Sequence, residues 1–356
     1  MEVSSPIKTD YLIVGQGIAG TMLAYFLEKA GKDVFLIDDN YPNSSTRLAG
    51  GLINPITGRR YVKTWLADTL IPFARDTYAA MEAEYGIELF RPKNFLRALH
   101  SAQEENTWLT KSANPEYSNY ILDEVVLGDY QDKVNHPYAY GEVTYSGRTN
   151  FRALLPAMRS HFEQKGRFQE AFFDYKKIQL HGDSVRYEAI EAKKIIFCEG
   201  IRTMENPFFD YLPFNPTKGE VIFVKIPGVK FEKIYKNRIF MVPLPDDIYG
   251  VGATYTWDFK DDEPTRENRN FLESRLRKIL KVPYEIIDHK AAIRPTVKDR
   301  RPFLGLHPQH SQLAIFNGLG TKGASLAPYF AKMMTDFLTE DKELLREVNI
   351  RRFSRQ

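Results

Sequence analysis

"DYLIVGQGIAGTMLAYFLEKAGKDVFLIDDN", Asp10 to Asn40, is the stretch that decides the fold. Tyr11 to Val14 is a short apolar run of the kind that forms a buried strand. Gly15, Gln16, Gly17, Ile18, Ala19 and Gly20 follow as G-x-G-x-x-G. Ala19, Leu23, Phe26, Leu27 and Ala30 then recur at helical spacing, and Gly31 suits a left-handed helix cap. Val34 to Ile37 reads as a second buried strand ending in Asp38. Strand, glycine turn, helix, strand and terminal acid occur in order, which is the context that gives the motif meaning. Gly15 permits the tight turn, Gly17 admits a pyrophosphate against the backbone, and Gly20 lets helix and strand pack closely. Ile18 and Ala19 open the helix whose N-terminus faces the anion. A carboxylate at Asp38, with Asp39 beside it, accepts hydrogen bonds from a ribose diol and disfavours a 2′-phosphate, so NADP is not expected. The motif alone leaves NAD and FAD both open.

The bulk composition narrows the class. The 356 residues suffice for one large domain or two modest ones. With 43% apolar and 27% charged residues, the chain is an ordinary globular one rather than a disordered one. Net charge is +3, which is no nucleic-acid footprint by itself. A single cysteine, Cys198, excludes an internal disulfide and fits a reducing compartment. The N-terminal "MEVSSPIKTD" lacks the apolar segment of a signal peptide, and no apolar run approaches the roughly 20 residues of a membrane span. A cytoplasmic location is expected. The seven histidines show no metal-ligand spacing, so no metal site is expected.

Beyond Asp38 the pattern departs from a simple dehydrogenase. "SSTRLAGGLINPITGRRYVKTW", Ser44 to Trp65, reads as a long ordered loop. Asn150 is a candidate N-cap for a helix over Phe151 to Gly166, and "AKKIIFCEGI" is a buried strand ending at Gly200. "GEVIFVKI", "RIFMVPL" and "DIYGVGATY" read as strands, with a turn at Pro245 to Asp247. Glu267 to Leu280 reads as a charged helix with Phe271, Leu272, Leu276 and Ile279 inward. "FNGLGTKGASLAP", Phe316 to Pro328, is a second glycine turn opening a helix.

Four stations, "LIVGQGIAG", "STRLAGGLINP", "IIFCEG" and "AAIRPTVKDRRPFLG" with "FNGLGTKGASLAP", resemble the FAD-dependent oxidoreductases of the D-amino-acid oxidase and glycine oxidase type. The resemblance implies an α/β fold: a Rossmann-like FAD-binding domain (1–78, 142–205 and 288–356) interleaved with an α+β substrate domain (79–141 and 206–287) carrying a mixed or antiparallel sheet. It implies noncovalent FAD, since Cys198 is misplaced for a covalent link. Thr46, Arg47, Gly50, Gly51, Leu52 and Gly200 would touch the cofactor. Gly318, Gly320, Thr321, Lys322 and Gly323 would hold the flavin end, where a helix N-terminus suits a reduced, anionic ring. Lys322 would add a full charge there, unless it faces solvent. Arg294 would fork onto a substrate carboxylate, unless it pairs structurally with Asp299.

The implied reaction is hydride transfer from an amine or amino acid to flavin N5, giving an imine that water hydrolyses, with oxygen or another acceptor reoxidising the flavin. Phe240, where some amino-acid-oxidising relatives carry a substrate-binding tyrosine, puts a plain small amino acid in doubt. Two alternatives share the fold. "GLGTKGASLAP" also resembles the FAD domain that trims a tRNA wobble-uridine side chain, and Arg59, Arg60, Lys63, Arg351 and Arg352 offer phosphate contacts. A hydroxy-acid or glycerol-phosphate dehydrogenase is the other. A flavoprotein scaffold without turnover is a reading from a different class.

Overall fold

The computed structural model describes residues 6–122 and 124–353. The outer ends of the expected first and last FAD-domain segments, residues 1–5 and 354–356, lie outside that range.

The opening stretch folds as its pattern dictates. β1 (Ile7–Val14) and β2 (Val34–Asp38) pair in parallel, joined by α1 (Ile18–Lys29). Gly31, with φ of 69°, ends α1. Its N–H donates to Glu28 O, and the next N–H, of Lys32, donates to Leu27 O. This is the paired bonding of a left-handed glycine cap.

Strand Ile190–Phe197 lies parallel to β1 on its other side, and Leu313–Asn317 continues parallel to its C-terminal half. Phe168–Glu170 extends the sheet beyond β2. The sheet is covered on both faces, which is why its central strands are unbroken apolar runs. Tyr11 and Ile13 face a core shared with α1, the helix Phe151–Gln164 and the C-terminal helix Gly323–Glu340. Leu12 and Val14 face the opposite core around Phe197, Phe209 and Phe303.

The second large sheet runs in the order Glu285–Arg294, Thr217–Lys225, Ile248–Gly252, Ile239–Pro243, Ile234–Asn237, Phe95–Leu99, Ala139–Val143 and Ile121–Leu122. All neighbours are antiparallel except Ile234–Asn237 with Phe95–Leu99, so the sheet is mixed, as expected. One face packs on the helix Arg266–Ile279 through Ile222, Val251, Leu272 and Leu276. The residues between them in the alternation face the first sheet. Phe271, expected inward on that helix, is exposed; the buried stripe is narrower and runs through Leu272, Leu276 and Ile279.

Three of the proposed segment boundaries fall inside regular elements. Helix Ala67–Tyr85 runs through position 78, strand Ala139–Val143 through 142, and strand Glu285–Arg294 through 288. Arg294 therefore reaches the site from the second sheet and not from the nucleotide-binding one. The stretch Ser44 to Trp65, expected as loop, holds a short helix (Ser45–Leu48) and three two-residue strands.

One buried acid ties helix Arg266–Ile279 to the second sheet. Glu220, fully buried, accepts from Thr265 N at 2.8 Å and Asn268 Nδ2 at 2.7 Å, and lies 3.0 Å from His289 Nε2. His289 is thus a structural partner on the face turned away from the site. Glu220→Ala strands these donors and should cost about 3 kcal/mol, read as a lowered denaturation midpoint, with Glu220→Gln costing less.

Candidate active site

Between the sheets lies a cavity of about 420 Å³, in the range of small-molecule sites. Both glycine turns reach it, because each follows the C-terminal end of a strand and those strands run parallel in the first sheet. Gly15, Gly17, Ile18 and Ala19 line it from the first, and Gly320, Thr321 and Gly323 from the second. Asp38, Asp39, Thr46, Arg47, Gly50, Gly51, Leu52, Gly200 and Arg294 line it too.

The glycines answer to space. A Cβ on Gly20 would sit 1.9 Å from Gly15 O, so Gly20 is needed for helix-on-strand packing and does not itself line the cavity. Gly15 has φ of 96° and Cys198 O would lie 2.6 Å from its Cβ. Gly51, with φ of 65°, lies against Thr149 O. Gly17 is different: its nearest neighbour would be Thr46 Oγ1 at 3.3 Å, with the cavity beyond. Thr46 Oγ1 accepts the Ile18 N–H at 3.1 Å and so pins the second station to the first turn.

The acids at the nucleotide end carry partners that the sequence did not reveal. Asp38 accepts from Gln16 N at 2.7 Å and Asn40 N at 2.8 Å, and pairs with Arg159 at 2.8 Å. Arg159 offsets the charge that was expected to repel a 2′-phosphate. Asp39 pairs with Arg202 at 2.7 Å, whose guanidinium rests over Tyr41. Glu199 is partly buried, holds Tyr175 Oη at 2.7 Å and Asn206 Nδ2 at 2.9 Å, and desolvation pushes its carboxyl up to about 7. Arg159 and Arg202 carry no motif, and only the tertiary fold brings them in. Cys198 also lines the cavity, but burial pushes its thiol well up, which suits an inert core residue.

At the other end, Asn317 Nδ2 donates to Gly200 O at 2.7 Å and Thr203 Oγ1 at 2.6 Å, joining the third station to the second glycine turn. Gly318 packs on Val297 and Phe303 and does not line the cavity. Neither does Lys322. Its carbonyl begins the helix Gly323–Glu340, while burial with Arg300 and Arg301 nearby holds its ammonium pKa down. The structure does not bring the Lys322 charge to the cavity, because the left-handed turn at Gly318 and Gly320 presents Gly320 and Thr321 there instead.

Alternation in the second sheet supplies the roof. Gly219 and Val221, Gly250 and Gly252, and Phe240 and Val242 all face the cavity. Glycines at every second position leave a shallow trough against the backbone, which a side chain would fill. Arg294 lies across this surface. Its guanidinium donates to Thr254 O at 3.3 Å and sits 4.5 Å from the Tyr255 ring centroid. A Cβ on Gly219 would come within 1.8 Å of it. Asp299, the alternative partner, is taken by Arg352 at 2.9 Å. Among the described residues Arg294 has no carboxylate partner, and burial lowers its pKa.

These features fit a flavin dinucleotide: a helix N-terminus with no acid in its first turn, a glycine that opens onto the cavity, and a flat, glycine-lined roof. Arg148 also lines the cavity, with a buried Nε that lacks a protein partner. No cluster of three or more metal-binding side chains occurs among the described residues, and none of their helices is long and apolar enough to cross a membrane.

Comparison with known proteins agrees. The chain is 23% identical over 358 residues to the glycine oxidase of Bacillus licheniformis, covering 93% of each. It is 23% identical over 388 residues to the tRNA 5-methylaminomethyl-2-thiouridine biosynthesis bifunctional protein MnmC of Marinobacter nauticus, covering 97% of this chain. It spans only 53% to 58% of three bifunctional relatives that it matches over most of its length. Among solved structures, iminodiacetate oxidase from Chelativorans sp. BNC1 superposes with a TM-score of 0.77 at 20% identity, covering 95% of this chain and 98% of the other. The model of the FAD dependent oxidoreductase family matches residues 10–337, and so takes in both glycine turns and the roof between them. The chain belongs to that family, the DAO family, and its cofactor is FAD.

Proposed function

We propose that the chain oxidises a C–N bond of an amino acid or secondary amine to an imine that water hydrolyses. The observation that carries this reading is Arg294: a part-buried, partly desolvated guanidinium in the cavity roof with no carboxylate partner among the described residues. A buried cation without its counter-ion is costly, and a planar fork matches a carboxylate. The glycine oxidase that aligns over 93% of both chains supports the same substrate class.

Bound FAD supplies the hydride acceptor. The chain supplies position. Arg294 fixes the carboxylate, and so sets which face of the α-carbon meets the flavin. Phe240, Val242 and Leu52 give apolar walls that limit water at the reacting bond. Gly320, Thr321 and the following helix N-terminus put backbone dipoles where negative charge collects. An amine that arrives neutral needs no side-chain base. The cofactor is taken as noncovalent, oxygen or another acceptor takes the electrons, and the lone buried thiol suits a cytoplasmic setting.

The test is a panel of amino acids and N-alkyl amino acids added anaerobically to the FAD-loaded protein. Bleaching of the visible flavin bands by members of the panel is expected. A flavin that ignores the panel and bleaches with tRNA would move the reading to RNA. Of the basic residues weighed for RNA, Lys63 pairs with Asp68 and Arg352 with Asp299, while Arg59, Arg60 and Arg351 are exposed.

A further inference from the structure

A second cation lies in the same roof. Lys236, on strand Ile234–Asn237, lines the cavity with Nζ 3.8 Å from the Phe240 ring centroid. Its single hydrogen bond among the described residues goes to Arg238 O at 2.9 Å. Burial, with Arg97 nearby, pushes it down to about 8, and no acid offsets this. The four acids that line the cavity, Asp38, Asp39, Glu199 and Glu205, all come from the C-terminal ends of first-sheet strands and the segments that follow them. The roof thus presents Arg294 and Lys236 with no negative partner for either. Arg238, exposed on the tight hairpin after Lys236, also lines the cavity.

The spacing of the two cations follows from the register. Arg294 folds over Gly219 on the adjacent strand, and Lys236 over Phe240 on its own neighbour. Two strand steps separate those positions. Phe240 pairs with Gly252, and Gly252 with Val221, two residues along from Gly219. That gives about 10 Å across and about 7 Å along, or roughly 12 Å between the charges. An amine whose α-carboxylate sits on Arg294 is thus beyond the hydrogen-bond reach of Lys236, which argues against a base at this position. Allowing roughly 3 Å from each cation to a carboxylate oxygen, the facing oxygens lie about 6 Å apart and the carboxyl carbons roughly 4–5 Å apart, a gap that two or three linking atoms span.

Resting on the amine-oxidation reading, the geometry points to a dicarboxylic amine as substrate: Arg294 holds the carboxylate beside the reacting carbon, and Lys236 holds a second carboxylate beyond the nitrogen. The second carboxylate gives the Lys236 ammonium the counter-ion it lacks. Phe240 then serves as the surface under that ammonium, a task for which a tyrosine hydroxyl is not required.

Thiodiacetate and (methylthio)acetate test this without turnover, because a thioether replaces the reacting amine. Each is titrated into the FAD-loaded protein and followed by the flavin difference spectrum. Thiodiacetate should bind at least about tenfold more tightly than the monoanion. Lys236→Met should erase that ratio, Lys236→Arg should keep most of it, and Arg294→Ala should weaken both ligands. Equal affinities in the unaltered protein, a comparison that needs no variant, would overturn the inference, as would a ratio that survives in Lys236→Met. A monoanion held through Arg294 with no dicarboxylate advantage overturns the Lys236 assignment alone. If neither ligand perturbs the flavin, the amine-oxidation reading falls with it.

Discussion

Replacing Arg294 by alanine should lower kcat/KM for the substrate by about a thousandfold while FAD stays bound. A forked, charge-assisted pair in a buried site contributes on the order of 4 kcal/mol, and each 1.36 kcal/mol is a factor of ten. The cofactor should remain, since Arg294 sits in the roof while the nucleotide end is built from the first sheet. Arg294→Lys keeps the charge and loses the fork, so an intermediate loss is expected. The loss should fall on both KM and kcat, because a substrate that binds without its anchor presents its C–H bond at the wrong angle. A change below about threefold, with flavin content intact, would make Arg294 a structural residue that merely caps Thr254 O.

The second large effect is expected at the first glycine turn. Gly17→Val should yield a folded protein that purifies without flavin and binds added FAD at least about a hundredfold more weakly. The Cβ itself meets only Thr46 Oγ1, at 3.3 Å, a side-chain atom that has to give by a few tenths of an ångström, and no backbone. The valine methyls would enter the cavity at the helix N-terminus, where the proposed pyrophosphate contact falls. Gly20→Val is the contrasting case. There the clash is with Gly15 O at 1.9 Å, inside the protein, and loss of folded protein is expected. Flavin titration separates the two, and full flavin content in Gly17→Val would place the pyrophosphate elsewhere.

Local pattern carried much of the architecture. β1, α1 and β2 each bury a face whose period is visible in ten or so residues, and the Gly31 cap closes the helix where the sequence says. The strands flanking the turn at Pro245 to Asp247 were legible for the same reason. The roof was partly legible too: Gly250 and Gly252 alternate in the sequence, and alternation in a strand means one face. The ends of the longer helices and strands were not, because a helix or strand ends where its packing partner ends, as Ala67–Tyr85 and Glu285–Arg294 show.

For the site, sequence by itself determined the glycine turns, because the backbone conformations at Gly15, Gly51, Gly318 and Gly320 are ones that other residues rarely adopt. It also singled out Asp38 and Arg294 as candidates, through motif position, and both line the cavity. The tertiary structure alone decided what those residues face. It set Arg159 against Asp38 and Arg202 against Asp39, and gave Asp299 to Arg352 and not to Arg294. It turned Lys322 toward Arg300 and Arg301, and it placed the unremarked Lys236 in the roof. The physical reason is range. Backbone conformation and helical or strand period are set by near neighbours in the chain. The environment of a charge is set by groups some 50 to 160 residues away, which only the folded sheets bring within hydrogen-bonding distance.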